Sequence, residues 1–480
     1  MFGNVKRIIA IVMAMVLVLS LAGCTKVVYE GSSAEIEYVT QQVIVDGSTG
    51  NDTQTGNNNN QQGGTTNKPN GQQGGSTTNK DGTINDGVNP EDYRGKTIKF
   101  AATIDPKNDE SGPVVEAFEK KYGIKVEIVQ SDQSNYPNQL SGWIAAGNAP
   151  DIARSNGDFP MAMAYLQSLD AAKLDYNEEI WDKGMFKLTT FGGSPYLCDT
   201  VGNIWKELDI VLYNKSILKR ANCYTPEQYD EAGKWTWDAY FEIARKVKAT
   251  LGTEAGCSFI SRDGVMHAMG ANVFELDNGT FTNGFKNDQA VKSMTKFAEA
   301  WKEGLISWES VGDFSQNKIG IITTYSWSLK KTGFFKDFNW NDIGYYYLPK
   351  NDVSDKNYPT TCFLRGWGLC RGANEPVAAG IFLREYLDVN NYDTTETFIS
   401  EEAETFFFEA TDYEYEDLNV YYTYCGYTQE LAGFNYMDEI WAVMGYDPAQ
   451  IPAKMSSISG LIDKGCKNFN DFTKKNTGLR

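Results

Sequence analysis

The sequence predicts an α/β fold for a body that begins near Lys96, and three successive segments carry this prediction. Residues 97–102 have the β-branched and apolar character of a strand. Apolar side chains then recur at four-residue spacing, at Val114, Phe118 and Tyr122, which indicates one face of a helix. A second strand pattern follows within roughly thirty residues of the first, an order typical of a βαβ unit with parallel strands.

The ends of this unit are marked by residues that start and stop helices. Pro113 suits the first turn of the helix, and Gly123 suits its carboxyl-terminal cap. Ile124, Val126 and Ile128 then alternate with polar residues, as expected for the second strand. The helix is therefore predicted to end where the second strand begins.

A further helix and strand extend this pattern. The helix is predicted to end by Gly147, and residues 150–153 form a short strand pattern. In doubly wound sheets, ligands bind beyond the carboxyl ends of the strands. The loops over residues 103–109 and 154–159 are therefore the predicted ligand loops of this part of the chain.

Strand and helix patterns continue through the rest of the body. Strands are predicted over residues 208–213, 319–323 and 343–348, and helices after Thr236, over 290–301 and after Asn374. The tryptophans on helical faces, Trp237, Trp301 and Trp441, are predicted to be core residues.

Charge and composition exclude several functions. The net charge is −19, and a chain so acidic, with no basic cluster in its mature region, is not expected to bind nucleic acid. His267 is the one histidine, which excludes sites with several histidine ligands and argues against a Ser-His-Asp site. None of the eight cysteines forms a CxxC pair, so zinc ribbons and redox motifs lack support. No metal or cofactor is predicted.

The first twenty-four residues form a predicted export signal. Lys6 and Arg7 precede an apolar stretch over residues 8–19, which is too short to span a bilayer comfortably and suits a signal peptide. Residues 21–24, Leu-Ala-Gly-Cys, resemble the bacterial lipoprotein signal, in which the chain is cut before the cysteine and the thiol is acylated. Residues 1–23 are therefore predicted to be removed, with Cys24 as the lipidation site.

Residues 24–95 form a predicted tether. Residues 51–66 and 70–79 are nearly all Asn, Gln, Gly, Thr and Ser, a composition that cannot bury enough apolar surface to fold. We expect a flexible segment that lets the body, residues 96–480, move above the membrane while it stays anchored.

Seven short motifs of the body occur in the order found in one known family. They are residues 117–126 (AFEKKYGIKV), 150–152 (PDI), 212–215 (LYNK), 236–238 (TWD), 319–327 (IGIITTYSW), 347–349 (YLP) and 366–368 (GWG). Each motif alone is weak, but seven in this order behind a lipoprotein signal are specific. Over roughly residues 96–390, the body resembles the extracellular solute-binding proteins of sugar-importing ABC transporters, the maltose-binding-protein type.

The resemblance implies a two-lobe, periplasmic-binding-protein-like fold of type II. Three crossovers would join the lobes, with the ligand in the cleft between them. Lobe 1 is expected over residues 96–212 and 319–362, and lobe 2 over residues 213–318 and 363–480. Ligand binding would close the lobes by a hinge motion.

The resemblance also implies which residues contact the ligand. They are Asp105, Lys107, Asp158, Trp205, Tyr325, Trp327, Arg365 and Trp367. Aromatic faces would stack on sugar rings, and charged groups would hydrogen-bond hydroxyls. The alternatives are solvated loop charges for the first two, a helix N-cap for the third and core packing for the tryptophans. The second lobe is expected to add contacts from Arg262, Asp263 and residues 424–434.

The expected function is solute capture rather than catalysis. The chain would be a monomer, lipid-anchored on the extracytoplasmic face of the cell membrane, and would bind a carbohydrate, in particular an oligosaccharide. It would deliver this ligand to the permease subunits of an ABC importer. The alternatives are the same fold binding a peptide, polyamine or other small solute, a surface adhesion module, or a surface glycoside hydrolase, which would need two carboxylates at a fixed separation.

Overall fold

The computed structural model describes residues 88–477, apart from 104, 109–110, 133–134, 309, 336–337, 352–360, 395–396, 416–417, 422–430 and 434–435. The predicted signal peptide, the lipidation site Cys24 and all of the tether up to residue 87 therefore lie outside the described residues.

The secondary structure alternates strands and helices along most of the described chain. The strands are β1 (Thr97–Ala102), β2 (Lys125–Gln130), β3 (Ile152–Asn156), β4 (Leu166–Gln167), β5 (Thr190–Phe191), β6 (Ser194–Pro195), β7 (Asp209–Asn214), β8 (Cys257–Phe259), β9 (Phe274–Asp277), β10 (Thr280–Asn283), β11 (Ile306–Trp308), β12 (Ile321–Tyr325), β13 (Ile343–Tyr347), β14 (Thr361–Phe363), β15 (Arg365–Cys370) and β16 (Asn419–Tyr421). The helices are α1 (Gly112–Tyr122), α2 (Tyr136–Ala145), α3 (Lys183–Thr189), α4 (Lys215–Arg220), α5 (Pro226–Glu231), α6 (Trp237–Leu251), α7 (Arg262–Ala268), α8 (Asp288–Lys302), α9 (Val311–Ser315), α10 (Pro376–Leu387), α11 (Glu401–Thr411), α12 (Tyr436–Met444) and α13 (Ile451–Thr477).

The first sheet has the strand order β2-β1-β3-β15-β4. Strand β1 runs parallel to β2, with Ile98 opposite Val126, and parallel to β3, with Phe100 opposite Ile152. Helix α1 connects β1 to β2 and ends at Gly123, which has a φ of 65° in the left-handed region that glycine adopts without strain. The predicted βαβ unit is therefore confirmed.

The second sheet has the strand order β11-β8-β12-β7-β13. Strand β8 is parallel to β11 and β12, whereas β7 is antiparallel to its neighbours β12 and β13. All six residues of β7 are buried, as expected for an inner strand covered on both faces. This sheet is therefore the central sheet of a second α/β part of the chain.

The chain passes between the two sheets three times within the described residues. The first passage covers residues 199–208 and leads from the first sheet into β7, and the second covers 348–364 and leads from β13 back to β15. The third leads from α10, which belongs to the first-sheet core, to Phe398, which belongs to the core cluster of Ile210 and Leu212 in the second sheet, and so covers 388–397. We call these the three crossing segments.

The sheets divide the chain differently from the expected lobe bounds. Residues 319–362 were expected in lobe 1, yet β12 and β13 lie in the second sheet beside β7. Residues 363–480 were expected in lobe 2, yet β15 lies in the first sheet, with Arg365 opposite Asn156 and Leu369 opposite Ile152. The reason is that the second passage, which returns the chain to the first sheet, comes after β12 and β13 instead of before them.

The predicted core tryptophans differ in their burial. Trp237 is 1% exposed in the second-sheet core, as predicted. The prediction for Trp301 is wrong, since this side chain is 39% exposed. Trp301 lies near the end of α8 and contacts the ring of Trp308 at 5.5 Å, so only one side is covered. The side chain of Trp441 lies outside the described residues.

The remaining features of the fold concern thiols and membranes. Cys198, Cys223, Cys257, Cys370 and Cys466 are free thiols, and all but Cys223 are buried. Within the part of the chain that the structure describes, no helix combines the length and apolarity needed to cross a membrane.

Candidate ligand-binding site

A cleft of about 520 Å³, partly open to solvent, lies where β1 and β3 reach their carboxyl ends beside β15. It is lined mainly by aromatic and small side chains around one guanidinium. The lining residues are Phe100, Ala101, Ala102, Thr103, Pro106, Tyr136, Arg154, Trp205, Trp367 and Tyr386. This edge is where ligands bind in open α/β sheets, so the fold and the cleft agree on one location.

Arg154 occupies the centre of the cleft. It lies on β3 directly opposite Trp367 on β15, and its guanidinium sits over the Trp367 ring at 5.2 Å. One nitrogen, Nη2, donates to the backbone oxygen of Trp205 at 3.1 Å. Desolvation lowers the pKa of Arg154, and the Asp199 carboxylate opposes part of this effect.

Two hydrogen-bond donors in the cleft lack acceptors. Nε of Arg154 and Nε1 of Trp205 are buried and have no hydrogen-bond partner within the described part of the chain. Both side chains line the cleft. Because unsatisfied buried donors are costly, these N–H groups are suited to donate hydrogen bonds to ligand oxygens.

Trp205 lies on the first crossing segment, and its ring contacts the ammonium of Lys330, a residue that follows a strand of the second sheet. The ammonium of Lys330, which is 5% exposed, lies 4.6 Å from the Trp205 ring centroid. Lys330 follows the short 3-10 turn Ser326–Leu329, which comes directly after β12. The ring is therefore held between the first-sheet cleft and an element of the second sheet.

The second sheet presents its own carboxyl edge to the crossing segments. Strands β8, β11 and β12 are parallel and end there, and antiparallel β7 begins there, with Asp209 opposite Tyr325. The rings of Tyr325 and Trp327 stack at 6.3 Å with an interplanar angle of 11°. Ser326 between them donates its N–H to the oxygen of Leu208 at 2.7 Å. This bond fixes the aromatic turn to the crossing segment that carries Trp205.

An ion pair joins two crossing segments beside the cleft. Arg365, the first residue of β15, pairs with Glu207 of the first crossing segment. The hydroxyl of Tyr415 donates to the backbone oxygen of Arg365 at 2.9 Å. Arg365 is thus positioned at the passage between the sheets rather than in the middle of the cleft wall.

The comparisons with known proteins agree with this geometry. The model of the bacterial extracellular solute-binding protein family matches residues 114–397, which is more than half of the chain. The chain belongs to this family. A maltodextrin-binding protein from Bacillus subtilis is 27% identical over 322 residues, which cover 63% of this chain and 72% of that protein.

Two solved structures show the same fold as this solute-binding protein. The GacH receptor of Streptomyces glaucescens, solved unliganded and with acarbose, covers 80% of this chain and 99% of its own, with a TM-score of 0.53 and 16% identity. The cyclic α-maltosyl-1,6-maltose binding protein of Arthrobacter globiformis covers 79% and 99%, with a TM-score of 0.56 and 13% identity. The predicted two-lobe fold of type II is therefore confirmed.

The structure places four predicted site residues of the solute-binding protein around the cleft and its crossing edge. Trp205 and Trp367 line the cleft directly. Tyr325 and Trp327 lie at the carboxyl edge of the second sheet, tied to the same crossing segment. Trp327 also contacts Phe334 at 4.2 Å, so one part of its ring is already covered.

The loop after β1 behaves differently from the prediction. Pro106 lines the cleft, but Lys107 donates its ammonium to the oxygen of Val126 at 2.9 Å and pairs with Glu119 at 3.3 Å. Lys107 is thus directed to α1 and β2 instead of the cleft. The carboxylate of Asp105 accepts the backbone N–H of Lys107 at 2.9 Å and so shapes this turn.

Asp158 is also placed away from the cleft wall. It is 1% exposed and accepts hydrogen bonds from Ser155 Oγ at 2.8 Å and from the Tyr165 hydroxyl at 2.5 Å. Both carboxylate oxygens are therefore used inside the first lobe. These two hydroxyls are side-chain partners, and the 3-10 helix Met161–Ala164 has Pro160 at its N-cap position, so the structure shows neither the expected ligand contact nor the alternative of a helix N-cap for Asp158.

The expected second-lobe contacts fall partly within the described chain. Arg262 and Asp263 begin α7, directly after β8 and at the carboxyl edge of the second sheet. Burial raises the pKa of Asp263 to about 8, with Arg262 lowering it and Asp209 raising it. Of residues 424–434, only 431–433 are described, so most of this predicted contact region lies outside the described residues.

Arg154 is one of several cleft residues that the sequence prediction did not single out; Phe100, Tyr136 and Tyr386 are others. Arg154 falls within the predicted ligand loop over residues 154–159, and its signal is a charged side chain following two fully buried residues, Ile152 and Ala153, in one short strand. Among the described residues, no group of three or more His, Cys, Asp or Glu side chains could hold a metal ion.

Proposed function

We propose that this solute-binding protein captures an oligosaccharide in the cleft and delivers it to the permease of an ABC importer. The observation that carries the proposal is the cleft itself, which Trp205 and Trp367 line and in which the Arg154 guanidinium lies over the Trp367 ring. Aromatic faces bind the apolar faces of sugar rings, and a guanidinium donates hydrogen bonds to hydroxyl oxygens. A few placed donors between apolar walls are typical of small-molecule sites.

The relatives support a carbohydrate as the ligand. The Bacillus subtilis relative is a maltodextrin-binding protein, and the two structural neighbours bind acarbose or a cyclic maltosyl-maltose. The relatives are binding proteins rather than enzymes, which supports capture without chemical change. The chain would act as a monomer without a cofactor.

We propose that the ligand is enclosed by a hinge motion of the two lobes. The three crossing segments are the connections about which the lobes would rotate. Trp205, Glu207 and Arg365 lie on or beside these segments, so closure would bring the Tyr325 and Trp327 edge against the ligand. Ligand contacts from both lobes would then favour the closed form.

We further propose that the chain is divided into a signal peptide, a lipid anchor, a tether and a binding domain. Residues 1–23 would be a signal peptide, Cys24 the acylated anchor, residues from 24 onward a flexible tether and the rest of the chain the binding domain on the extracytoplasmic face of the membrane. The expected boundary at residue 95 is corrected, because Val88 is buried in the first-sheet core and Pro90–Tyr93 form a 3-10 helix, so the binding domain begins by Val88. The family supports an extracytoplasmic location. The lipoprotein motif at residues 21–24 supports the anchor.

Thermal denaturation of the full-length protein with a panel of saccharides, amino acids and polyamines tests the ligand class. A ligand at a hundred times its Kd stabilises the native state by about 2.7 kcal/mol, so one saccharide class should raise the Tm clearly. Trp205→Ala should weaken binding of that saccharide roughly tenfold, through loss of ring stacking. The matched control is Trp340→Ala, a half-buried tryptophan that packs against Phe335 in the other lobe. A Tm rise only with amino acids or polyamines would reject the carbohydrate assignment.

Cys24→Ser tests the anchor. Since the serine hydroxyl does not replace the thiol as acyl acceptor in this pathway, the variant should lose diacylglycerol labelling and leave the detergent phase on phase partitioning. Cys223→Ser, at a half-buried cysteine of the body, should keep both properties. Unchanged lipid labelling of the Cys24→Ser chain would contradict the proposed anchor.

A further inference from the structure

We propose that the saccharide held in the cleft is anionic, and that its negative group, a uronate carboxylate or a sulfate ester, pairs with Arg154. The inference rests on the proposed carbohydrate function and adds to it the charge class of the ligand. Two observations carry it: a guanidinium at the centre of the cleft without an anionic partner, and a lining that presents hydrogen-bond donors but no carboxylate among the described residues.

The Arg154 guanidinium forms no ion pair within the described part of the chain. Its side chain makes one hydrogen bond there, from Nη2 to the backbone oxygen of Trp205 at 3.1 Å, while its buried Nε has no acceptor. Desolvation lowers the pKa of Arg154, so the charged form is not fully compensated in the ligand-free protein. Desolvated charges in proteins are ordinarily paired, because an unpaired one loses its hydration without compensation. A ligand anion would supply the missing partner.

Two carboxylates near the cleft already have other partners. Asp199, whose charge opposes part of the desolvation of Arg154, accepts a hydrogen bond from the Tyr415 hydroxyl at 3.1 Å. Glu207 pairs with Arg365 at the passage between the sheets. Neither carboxylate lines the cleft. A negative group in the cleft would therefore have to come with the ligand.

The cleft lining favours a group that only accepts hydrogen bonds. Nε of Arg154 and Nε1 of Trp205 are donors without partners, and none of the described lining residues is Asp or Glu. The hydroxyl of Tyr136, which could donate or accept, already accepts the backbone N–H of Arg154 at 2.9 Å. Sugar hydroxyls both donate and accept, whereas ionised acidic groups only accept. An anionic group therefore matches this lining better than a hydroxyl does.

A second cation lies beside the cleft. The ammonium of Lys330 is 4.6 Å from the ring centroid of Trp205, and Arg154 bonds the backbone oxygen of the same tryptophan. Two cations thus flank one residue of the lining, although the net charge of the chain is −19. Because like charges brought together cost free energy, these cations favour an anionic ligand and oppose a polyamine.

Isothermal titration of the full-length protein with matched acidic and neutral saccharides tests the inference. Oligogalacturonates and oligoglucuronates are compared with their methyl esters, which keep the sugar rings and lose the charge. Sulfated galacto-oligosaccharides are compared with unsulfated ones, and neutral malto-, cello- and xylo-oligosaccharides complete the panel. We expect one acidic series to bind about tenfold or more tightly than its neutral counterpart, because a charge-assisted hydrogen bond replaces a neutral one.

Variants of Arg154 test whether this residue holds the anion. Arg154→Met should weaken binding of the acidic ligand roughly 30- to 100-fold and of its neutral counterpart at most about fivefold, because only the acidic ligand loses an ion pair. Arg154→Lys should keep part of the preference for the acidic ligand, since an ammonium retains the charge. The matched control is Arg245→Met, which removes a surface pair with Glu303 and should leave both affinities at the wild-type level.

The outcomes separate this inference from the proposed function. If the wild type binds neutral saccharides as tightly as acidic ones, the charge class is wrong while carbohydrate capture stands. If Arg154→Met keeps the wild-type preference for the acidic ligand, Arg154 does not hold the anion and the inference is likewise overturned. If the wild type binds no saccharide of the panel, the proposed function and the inference fail together. Preference for a sulfated or for a uronate series supports the inference and identifies the group that pairs with Arg154.

Discussion

Lys206→Met is expected to lower the free energy of unfolding by about 3–5 kcal/mol, because it leaves the buried Asp182 carboxylate without its cation. The side chains of Lys206 and Asp182 are both 0% exposed, with Nζ 2.9 Å from the carboxylate. Lys206 also donates to the backbone oxygen of Tyr413 at 2.7 Å and lies over the Tyr415 ring at 4.7 Å. Urea denaturation of the ligand-free protein measures the change.

Two control variants test whether the loss of stability comes from the buried ion pair. The double variant Lys206→Met with Asp182→Asn should recover much of the loss, because it removes the uncompensated charge. Lys246→Met, which breaks the solvent-exposed pair with Glu242, should change stability by at most about 1 kcal/mol. If Lys206→Met unfolds at the same urea concentration as Lys246→Met, the buried pair does not stabilise the protein as argued.

The Lys206–Asp182 ion pair lies where the chain passes between the two lobes. Lys206 belongs to the first crossing segment, and its backbone acceptors, the oxygens of Thr411 and Tyr413, lie at the end of α11 and just after it, beyond the third crossing segment. Tyr415 then bonds Asp199 at 3.1 Å, and burial raises the pKa of Asp199 to about 6. One buried polar network thus connects the first passage between the lobes to the chain beyond the third. Such a network gives the passage a defined geometry about which the lobes can rotate.

Much of the fold could be predicted from local pattern. The βαβ unit followed from four-residue spacing and from Gly123, since these signals depend only on neighbouring residues. The lobe bounds could not be predicted in the same way. Whether the strand at Ile321 or the strand at Arg365 joins the first sheet depends on long-range strand pairing, which local sequence patterns do not specify.

The residues of the candidate site were likewise predicted only in part. Trp205 and Trp367 were predicted and line the cleft, although Trp367 also packs in the first-sheet core against Phe100 and Tyr386, so the alternative of core packing holds for it as well. Lys107 and Asp158 were predicted from loop position, but a loop residue can turn to either side. Their final partners, Val126 for Lys107 and Tyr165 for Asp158, are fixed by tertiary packing rather than by sequence spacing.

Arg154→Met is expected to weaken ligand binding roughly 10- to 100-fold, the range for lost hydrogen bonds to a charged group. The ligand-free protein should at the same time keep or raise its Tm. The reason is that Nε of Arg154 has no hydrogen-bond partner among the described residues, so its desolvation is not compensated until a ligand oxygen arrives. Titration calorimetry and thermal denaturation without ligand measure the two effects on one sample.

The opposite signs of these two effects distinguish a binding residue from a structural one. A guanidinium kept for packing over Trp367 would lower the Tm when removed and would leave affinity nearly unchanged. Arg245→Met provides the control, because Arg245 pairs with Glu303 on the surface and its loss should alter neither quantity strongly. Because Nε of Arg154 has no hydrogen-bond partner among the described residues, a ligand oxygen in the cleft would supply one. The expected result is therefore a binding residue whose burial lowers the stability of the ligand-free protein, and the paired measurement tests this.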